Sequence, residues 1–431
     1  MPRLIDFRLT LGNRSFLPLM SGGMGVDIST AALALSLAKM GAIGHISDAM
    51  SPYVSDRRFG TRFQSEKQKK YKHLQATTSG TTEAKWDYDS VYKASFNHVR
   101  ATMDAKKGQG GIFINVMEKL SMGNPAETLR ARLNGALDAG VDGITLSAGL
   151  HTGTLRLIEN ASRFRDAFIG IIVSSARALK IFLRSAARVN RLPDYVIVEG
   201  PLAGGHLGFG EDWRSYELKN IVDEVLNFLR EEGLSIPVIP AGGVFTGTDA
   251  TEYLTKGAGA VQVATRFTIS EECGLPPDVK QRYLRAREED VVVNSLSPTG
   301  YPMRMLRGSP CATSNIKPNC EALGYILDGS GHCSYRDAYT AAGFNDKGEK
   351  LPVTEKMCIC YHFMKFSCYT CGHYVYRLKD TTVKLPNGAY LLPSAEHIAL
   401  DYLLSQNHEV SLPSLPGEEL TEENCLRVAV A

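Results

Sequence analysis

Short apolar segments alternate with amphipathic segments through the first 270 residues of the chain. The apolar segments are rich in β-branched or bulky residues, are flanked by glycine, proline or aspartate, and are too short for helices, so they predict strands. Eight such strands are predicted, at residues 16–20, 42–47, 111–116, 143–147, 168–173, 195–199, 236–240 and 260–263. Helical spacing lies between them, at residues 29–40, 125–139, 176–189 and 216–232. The first helix has Ser29 as its candidate N-cap and ends at Gly41.

Eight apolar strands that alternate with helices predict a parallel sheet covered by helices. Eight is also the number of strands that closes a (β/α)8 TIM barrel, which binds its ligands at the carboxyl ends of the strands. An open doubly wound sheet is the alternative, and it normally has a G-x-G-x-x-G loop after its first strand. Neither that loop nor a P-loop occurs in the chain, so the pattern favours the α/β barrel.

Two regions depart from the alternation of strands and helices. Residues 49–110, after the second predicted strand, form a connection about twice as long as a βα unit needs. They predict an insertion that is either a lid over the site or a solvated surface segment. After residue 295 the alternation ends, and the remaining chain holds most of the nine cysteines and a helical segment at 394–406. We therefore expect a barrel domain at residues 1–295 and a cysteine-rich C-terminal extension, residues 296–431, packed on it.

The composition is that of an ordinary globular protein, with 22% charged and 44% hydrophobic residues. A formal net charge of +2 gives no reason to expect nucleic acid or an anionic membrane as the main partner. The first ten residues include Arg3, Asp6 and Arg8 and lack the apolar core of a secretory signal, and no apolar run has the length of a membrane span. Reduced thiols and a cytoplasmic location are therefore expected.

The segment after the sixth predicted strand is the most informative for function. Residues 196–208 read V-I-V-E-G-P-L-A-G-G-H-L-G, a buried strand that leads into a glycine-rich loop with one histidine, His206. Glycines allow the backbone to approach a flat ligand closely, and imidazole is the side chain that titrates near neutrality. The segment therefore predicts either a catalytic histidine at the barrel rim or an ordinary turn with an exposed histidine.

The ends of other strands suggest a cofactor. Backbone N–H groups after strands seven and eight of a barrel often bind a phosphate. Here those strands lead into Gly242, Gly243 and Thr265, which combine open backbone with a hydroxyl donor. Asn115, at the end of strand three, suits the polar edge of a heterocycle. The pattern favours a phosphate-bearing cofactor across the barrel mouth, and the alternative is that these glycines only shape loops.

These motifs together resemble the nitronate monooxygenase (2-nitropropane dioxygenase-like) family. The resemblance covers about residues 15–310 in order and spacing. It rests on M-S-G-G-M-G at 20–25, the Asn115 strand, E-G-P-L-A-G-G-H-L-G at 199–208, P-A-G-G at 240–243 and G-A-V-Q-V-A-T-R-F at 259–267. The family has a TIM barrel that carries FMN, and FMN-dependent enoyl-acyl-carrier-protein reductases share most of these motifs. The family usually has Gly-Thr where this chain has Ala264-Thr265.

The resemblance implies an FMN site and a catalytic histidine. The residues implied to bind the phosphate are Gly242, Gly243, Ala264 and Thr265. The other implied cofactor-binding residues are Gly22, Gly23, Met24, Asn115, Ser174, Gly204 and Gly205. His206 is implied to lie beside the substrate, where it would act as the acid or base.

The expected reaction is the oxidation of small nitronates or nitroalkanes with O2. His206 would remove the α-proton of a nitroalkane or stabilise the negative charge of a nitronate, while the flavin carries out the redox chemistry. The alternative is an FMN-dependent enoyl-thioester reductase that uses NAD(P)H. Basic residues of the insertion would suit an acidic acyl-carrier protein or a coenzyme A phosphate in that case. They are Arg57, Arg58, Lys67, Lys69, Lys70 and Lys72. A regulatory flavin- or metal-binding barrel is a third class, and it would not need a base at His206.

The cysteines of the extension leave two interpretations open. C-x-C and C-x-x-C pairs could ligate zinc or an iron–sulfur cluster, or the thiols could be buried and unliganded among aromatic residues. The cysteines concerned are Cys311, Cys320, Cys333, Cys358, Cys360, Cys368 and Cys371. No metal site is assigned from the sequence.

Four other polar residues have candidate roles. His45 and His151 are expected to be structural. Glu199 either orients His206 or faces the rim. Arg304 either occupies a family position or anchors the extension through an ion pair.

Overall fold

The structure is a computed structural model that describes residues 2–73, 85–118, 124–318, 333–415 and 427–430. At its centre lies a closed barrel of eight parallel strands. They are β1 (Leu19–Ser21), β2 (Ile43–Ser47), β3 (Gly111–Met117), β4 (Gly143–Ser147), β5 (Phe168–Val173), β6 (Tyr195–Glu199), β7 (Val238–Ala241) and β8 (Val261–Val263). Neighbours in the chain are neighbours in the barrel, and β8 closes it by pairing with β1. The predicted (β/α)8 TIM barrel is confirmed.

The first predicted strand has the wrong boundaries. Residues Arg14–Phe16 pair with Leu9–Leu11 in an antiparallel hairpin, and the barrel begins only at Leu19. Pro18 lies between the two strands and has no N–H to donate to a ladder, so it separates them. The other seven strands begin and end within two residues of the prediction.

The barrel interior is packed with side chains. Its cluster of buried residues includes Phe113, Tyr195 and Ile239. His45 lies among them, with its ring nitrogens 2.6 Å from the Ser21 carbonyl oxygen and 2.6 Å from the Thr145 hydroxyl. Burial lowers the pKa of His45 to about 4, so the ring is neutral at pH 7 and structural, as predicted.

Helices cover the barrel as the sequence pattern predicts. Those that follow the strands are Ala31–Met40, Tyr88–Asp104, Pro125–Asp138, Thr154–Leu157, Ala176–Ala187, Leu218–Glu231 and Gly247–Thr255. The N-cap of the first is Thr30, whose hydroxyl accepts from the Leu33 N–H, and not Ser29 as predicted. Ser29 instead braces the loop after β1. Its hydroxyl donates to the Gly22 carbonyl oxygen and accepts from the Met24 N–H.

The long connection after β2 is only partly an insertion. It contains the helices Ser51–Phe59 and Phe63–Lys70 before the helix Tyr88–Asp104. That last helix packs on Pro125–Asp138 and is the regular barrel helix between β2 and β3. The added part therefore consists of the residues before it. That this part closes over the site as a lid stays a prediction.

The C-terminal region begins by pairing with the loop after β6. Its strand Met303–Leu306 lies between Val291–Asn294 and Gly205–His206, and both pairings are antiparallel. Its helical segments are Pro310–Ala312, Ser334–Ala341, Ile359–Met364, His373–Thr381 and Ala395–Leu404, and its last strands are Glu409–Ser411 and Arg427–Ala429. Helix Ala395–Leu404 packs on the barrel helix Ala31–Met40. Between the barrel and this region lies helix Pro277–Leu284.

None of the helices in the described parts of the chain is both long enough and apolar enough to cross a membrane.

Candidate active site

The loops after β1, β3 and β8 meet at the carboxyl end of the barrel. A Cβ atom added at Gly22 would lie 2.8 Å from the Cβ of Ala264, and one added at Gly23 would overlap the Asn115 side chain. Asn115 is buried and its amide donates to the Gly23 carbonyl oxygen at 3.1 Å. Absence of a side chain at the two glycines therefore brings residues from three distant parts of the chain into contact.

The two glycines after β7 need backbone conformations that other residues avoid. Gly242 has φ +87° and Gly243 has φ +99°, both in the left-handed region. A Cβ at Gly242 would lie 2.9 Å from the backbone nitrogen of Ala203, in the loop after β6. The predicted phosphate-binding segment thus lies directly beside the glycine-rich loop that carries His206.

The extension adds backbone to the same end of the site. A Cβ at Gly204 would lie 2.7 Å from the carbonyl carbon of Cys371. Gly372, the next residue, packs on the Thr265 hydroxyl, and the His373 N–H donates to the Leu202 carbonyl oxygen at 3.1 Å. The sequence carries no motif that predicts this contact.

His206 is held between the barrel and the extension. It pairs through its backbone with Met303, and its Nε2 lies 2.7 Å from the hydroxyl of the buried Ser297. The Phe363 ring meets the imidazole edge-on, with ring centres 6.1 Å apart. Desolvation lowers the pKa of His206 to about 4, so the ring is neutral at pH 7 and able to accept a proton.

The side-chain amide of Gln262 is a hydrogen-bond donor at the site that lacks an acceptor. Gln262 lies on β8 in register with Met20 and Ala241, the residue is 8% exposed, and its Nε2 has no partner in the described residues. An unpaired buried amide costs about 1–3 kcal/mol, which an acceptor oxygen on a bound molecule would recover. Together with the open glycine backbone, this orphaned donor fits a flat cofactor that carries oxygen acceptors, as FMN does.

Glu199 ends β6 on the same face as Tyr195 and Ile197, the face that lines the barrel interior. Burial raises the pKa of Glu199 to about 7, and the nearby Arg304 offsets part of this effect. Glu199 makes no hydrogen bond to His206 in the described structure, so it does not orient the imidazole directly.

Arg304 anchors the extension without an ion pair. It is fully buried, donates to the Ala203 carbonyl oxygen and stacks 4.6 Å from the centre of the Trp213 ring. Among the residues described, no carboxylate forms a salt bridge with it.

The remaining predicted site residues also lie around these loops. The Ser174 hydroxyl, after β5, donates to the Gly208 carbonyl oxygen at 3.1 Å and supports the loop of His206. Gly205 has φ +70°, and a Cβ there would point into open space. His151 is buried, with its Nε2 2.7 Å from the Ser147 carbonyl oxygen, and is structural as expected.

Three of the six basic residues of the insertion interact with other groups of the protein, although Arg57 and Arg58 stay exposed. Arg57 pairs with the buried Asp27, and Arg58 lies 3.6 Å from the same carboxylate. Lys67 is buried with its Nζ 3.6 Å from the centre of the Trp86 ring. Because Asp27 follows the glycine-rich loop of β1, the two arginines tie the insertion to the site. Lys69, Lys70 and Lys72 are exposed and form no salt bridge among the described residues, so they remain for a partner.

Of the extension cysteines that the structure describes, four are buried (Cys311, Cys358, Cys368 and Cys371) and two are partly exposed (Cys333 and Cys360). The Cys368 Sγ lies 3.7 Å from the Met357 sulfur, in an apolar cluster that also contains Cys311. Across the described ranges, no three histidine, cysteine or acidic side chains are arranged to hold a metal. Cys320 lies outside those ranges.

Comparison with known proteins gives one family match and several partial relatives. The model of the nitronate monooxygenase family matches residues 13–349. A (3aS,4S,5R,7aS)-5-hydroxy-7a-methyl-1-oxo-octahydro-1H-indene-4-carboxyl-CoA dehydrogenase of Mycobacterium tuberculosis is 37% identical over 114 residues, 26% of this chain and 30% of the relative. A probable nitronate monooxygenase of Staphylococcus saprophyticus is 29% identical over 168 residues, 39% of this chain and 44% of the relative. The aligned region therefore spans less than half the length of these relatives.

Solved structures share the fold along nearly the whole chain. FabK from Thermotoga maritima superposes with a TM-score of 0.53 at 18% identity and covers 93% of both chains. Nitroalkane oxidase from Streptomyces ansochromogenes superposes with a TM-score of 0.52 at 15% identity, covering 89% of this chain and 94% of its own. At these identities the likeness is evidence for the barrel fold alone.

Proposed function

We propose that this chain, which belongs to the nitronate monooxygenase family, is a flavin-dependent oxidoreductase that oxidises nitronates and nitroalkanes with O2, using FMN. The observation that carries the proposal is the position of His206, a neutral imidazole at the barrel mouth beside a loop of open glycine backbone. A neutral imidazole has a nitrogen lone pair that can accept the α-proton of a nitroalkane.

The FMN assignment is supported by the residues around that mouth. Gly242, Gly243, Ala264 and Thr265 would hold the phosphate through backbone N–H groups and one hydroxyl. The ring would lie against the backbone of Gly22 and Gly205, where side chains are absent. The remaining contacts proposed for the cofactor are Gly23, Met24, Asn115, Ser174 and Gly204. Gln262, which the sequence motif contained but did not single out, would donate to a cofactor oxygen.

His206 has a defined task in this scheme. For a nitroalkane, it takes the α-proton and leaves the substrate as the nitronate anion. For a nitronate, the neutral ring donates a hydrogen bond to the bound anion. The bound flavin supplies the oxidation. The Phe363 ring packs edge-on against the imidazole and covers part of it.

An enoyl-thioester reductase that uses NAD(P)H is the second candidate. The observation that favours it is the 37% identical segment shared with the indene-carboxyl-CoA dehydrogenase of Mycobacterium tuberculosis, whose name indicates a coenzyme A thioester. Three lysines at 69, 70 and 72 remain exposed for an acyl-carrier protein or a coenzyme A phosphate. The internal use of Arg57, Arg58 and Lys67 leaves this surface weaker than the sequence predicts.

Anaerobic reduction of the FMN-loaded protein tests the two candidates. We expect stoichiometric FMN, rapid bleaching of its absorbance by a small alkyl nitronate, and no bleaching by NADH or NADPH. Bleaching by a nicotinamide but not by nitronate would refute the nitronate reaction and support the reductase. Failure to bind FMN would refute both.

A further inference from the structure

Two hydroxyl groups of the extension continue from the imidazole of His206. Its Nε2 lies 2.7 Å from the Ser297 Oγ, and that oxygen lies 2.8 Å from the Thr299 Oγ1. Ser297 is fully buried, whereas Thr299 is partly exposed and precedes the exposed Gly300. The three side chains form a continuous hydrogen-bonded line from the site towards the surface.

Backbone contacts hold this line in place. The Thr299 N–H donates to the Ser297 Oγ at 3.2 Å, and the Leu207 N–H donates to the Pro302 carbonyl oxygen at 2.9 Å. Together with the pairing of His206 and Met303, these bonds clamp residues 297–303 on the histidine loop. The paired backbones of the two segments therefore fix the positions of Ser297 and Thr299 relative to His206.

The other ring nitrogen is left for the substrate. Nδ1 of His206 makes no hydrogen bond among the described residues, and Nε2 is engaged by Ser297. When Nε2 carries the hydrogen, Ser297 accepts it and donates onward to Thr299, which leaves Nδ1 as a base. When the hydroxyls of Ser297 and Thr299 both rotate, Ser297 donates to Nε2, and the ring hydrogen of His206 is then on Nδ1. The hydroxyl pair can thus support either tautomer.

We propose that Ser297 and Thr299 form a proton relay for His206, a role that rests on the proposed oxidation of nitroalkanes. Nδ1 accepts the α-proton, and the electron pair of the broken C–H bond stays on the substrate as the nitronate. Nε2 passes its hydrogen to Ser297, Ser297 passes its own to Thr299, and Thr299 passes its own to water. One proton enters and one leaves, so His206 ends neutral in its other tautomer. To reset the ring, Nδ1 gives its hydrogen to water that enters as the product leaves. The relay then runs in reverse: Thr299 takes one hydrogen from water and passes its own to Ser297, and Ser297 passes its own to Nε2.

The relay explains how a desolvated histidine can act as a base. Burial is the cause that lowers the pKa of His206, so the site disfavours the imidazolium that a simple proton transfer would form. Release of a proton at Nε2 as another arrives at Nδ1 avoids that charge. Ser297 and Thr299 act through His206 and are positioning residues.

The test compares a nitroalkane with its own nitronate, because only the nitroalkane requires removal of a proton from carbon. We expect Ser297→Ala and Thr299→Val each to lower the nitroalkane-to-nitronate ratio of kcat/KM by about tenfold, the usual scale for one lost hydrogen bond in a transition state. Thr299→Ser and Ser297→Thr, which keep the hydroxyls, should restore most of the ratio. Thermal unfolding and FMN content confirm that each variant is folded and loaded.

Ser309→Ala is the matched control. Ser309 is also a buried serine of the extension, and its hydroxyl donates to the carbonyl oxygens of Leu306 and Cys368. Its removal loses hydrogen bonds without touching His206, so the ratio should stay at the wild-type value. Nuclear magnetic resonance of ring-15N histidine gives a readout independent of turnover. Ser297→Ala should shift the tautomer populations of His206, and Ser309→Ala should not.

Four results would overturn the relay. They are an unchanged ratio in Ser297→Ala, an unchanged ratio in Thr299→Val, an equal fall in Ser309→Ala, and a wild-type enzyme that oxidises the nitronate but not the nitroalkane. The last of these leaves the proposed nitronate oxidation standing. If the wild type oxidises neither compound, the proposed function itself fails, and the tautomer measurement still decides whether Ser297 sets the state of His206.

Discussion

A buried ion pair connects the C-terminal extension to the carboxyl end of the barrel, and its removal should destabilise the protein strongly. Arg266 directly follows Thr265, and its Nη1 lies 2.6 Å from the Asp401 Oδ2 in helix Ala395–Leu404. Both side chains are 1% exposed. The other carboxylate oxygen accepts from the Ser411 N–H at 2.5 Å. We predict that Asp401→Asn, which keeps the size of the side chain, leaves the guanidinium charge buried without a counter-ion.

The expected loss of stability is large because little else in the protein compensates the buried charge of Arg266. Nε and Nη2 of Arg266 have no hydrogen-bonding partner among the described residues, and the Tyr402 ring centre lies 4.9 Å from its guanidinium carbon. Breaking such a buried pair from one side costs about 3–5 kcal/mol. A chain of 431 residues unfolds with an entropy of about 0.9 kcal/mol/K, so Tm should fall by about 3–6 °C.

Urea denaturation and thermal scans of the FMN-free protein measure this loss. The matched control is Asp89→Asn, since Asp89 pairs with Lys93 at 2.6 Å with both side chains exposed, and such a pair contributes less than about 0.5 kcal/mol. The double variant R266M/D401L, which replaces the pair by apolar side chains, should recover most of the stability. If Asp401→Asn is no less stable than Asp89→Asn, the reasoning from the buried charge is wrong.

Three further predictions concern the site. His206→Asn should keep its FMN and lower kcat for a nitroalkane by about 10²–10⁴-fold in oxygen-uptake assays, and a smaller loss would argue against His206 as the base. Gly205→Ala and Gly233→Ala, at φ +70° and +66°, should each cost about 1–2 kcal/mol, but only the first should weaken FMN binding in a fluorescence titration. Equal FMN affinity would remove Gly205 from the site. Because burial raises the pKa of Glu199 from 4.5 to about 7, ionisation opposes folding progressively between those pH values. Glu199→Gln should therefore gain stability over the wild type as pH rises through that range, by up to about 3 kcal/mol, and a pH-independent difference would contradict the burial of the charge.

The barrel could be predicted because its signal is local. Each strand is a short apolar run, since both faces of a parallel strand are covered, and each run ends at a glycine or polar residue that the loop requires. The exception has the same origin. Residues 9–21 contain the two hairpin strands and β1, and all three strands have apolar residues. The apolar pattern alone therefore does not separate the second hairpin strand from β1, which Pro18 divides.

The order of the strands also placed most of the proposed cofactor residues at one end of the molecule. Carboxyl ends of parallel strands meet at one rim, so Gly22, Asn115, Gly205, Gly242 and Thr265 were expected together from their positions in the chain alone. The structure brings their loops into contact. Close approach at Gly22 and the left-handed backbone at Gly242 give the physical reason for glycine at those positions.

Only the tertiary structure decided which side chains face each other across long separations. Arg57 looked like part of a docking surface, but it pairs with Asp27, a partner that no local pattern marks. Ser297 belongs to the extension, yet it lies against His206 because strand Met303–Leu306 returns to the loop after β6. Sequence spacing records periodicity within an element, whereas the contacts that set charge pairing and proton transfer depend on how distant elements pack. The chain's own pattern therefore determined the barrel and its rim, and packing determined the environment of His206.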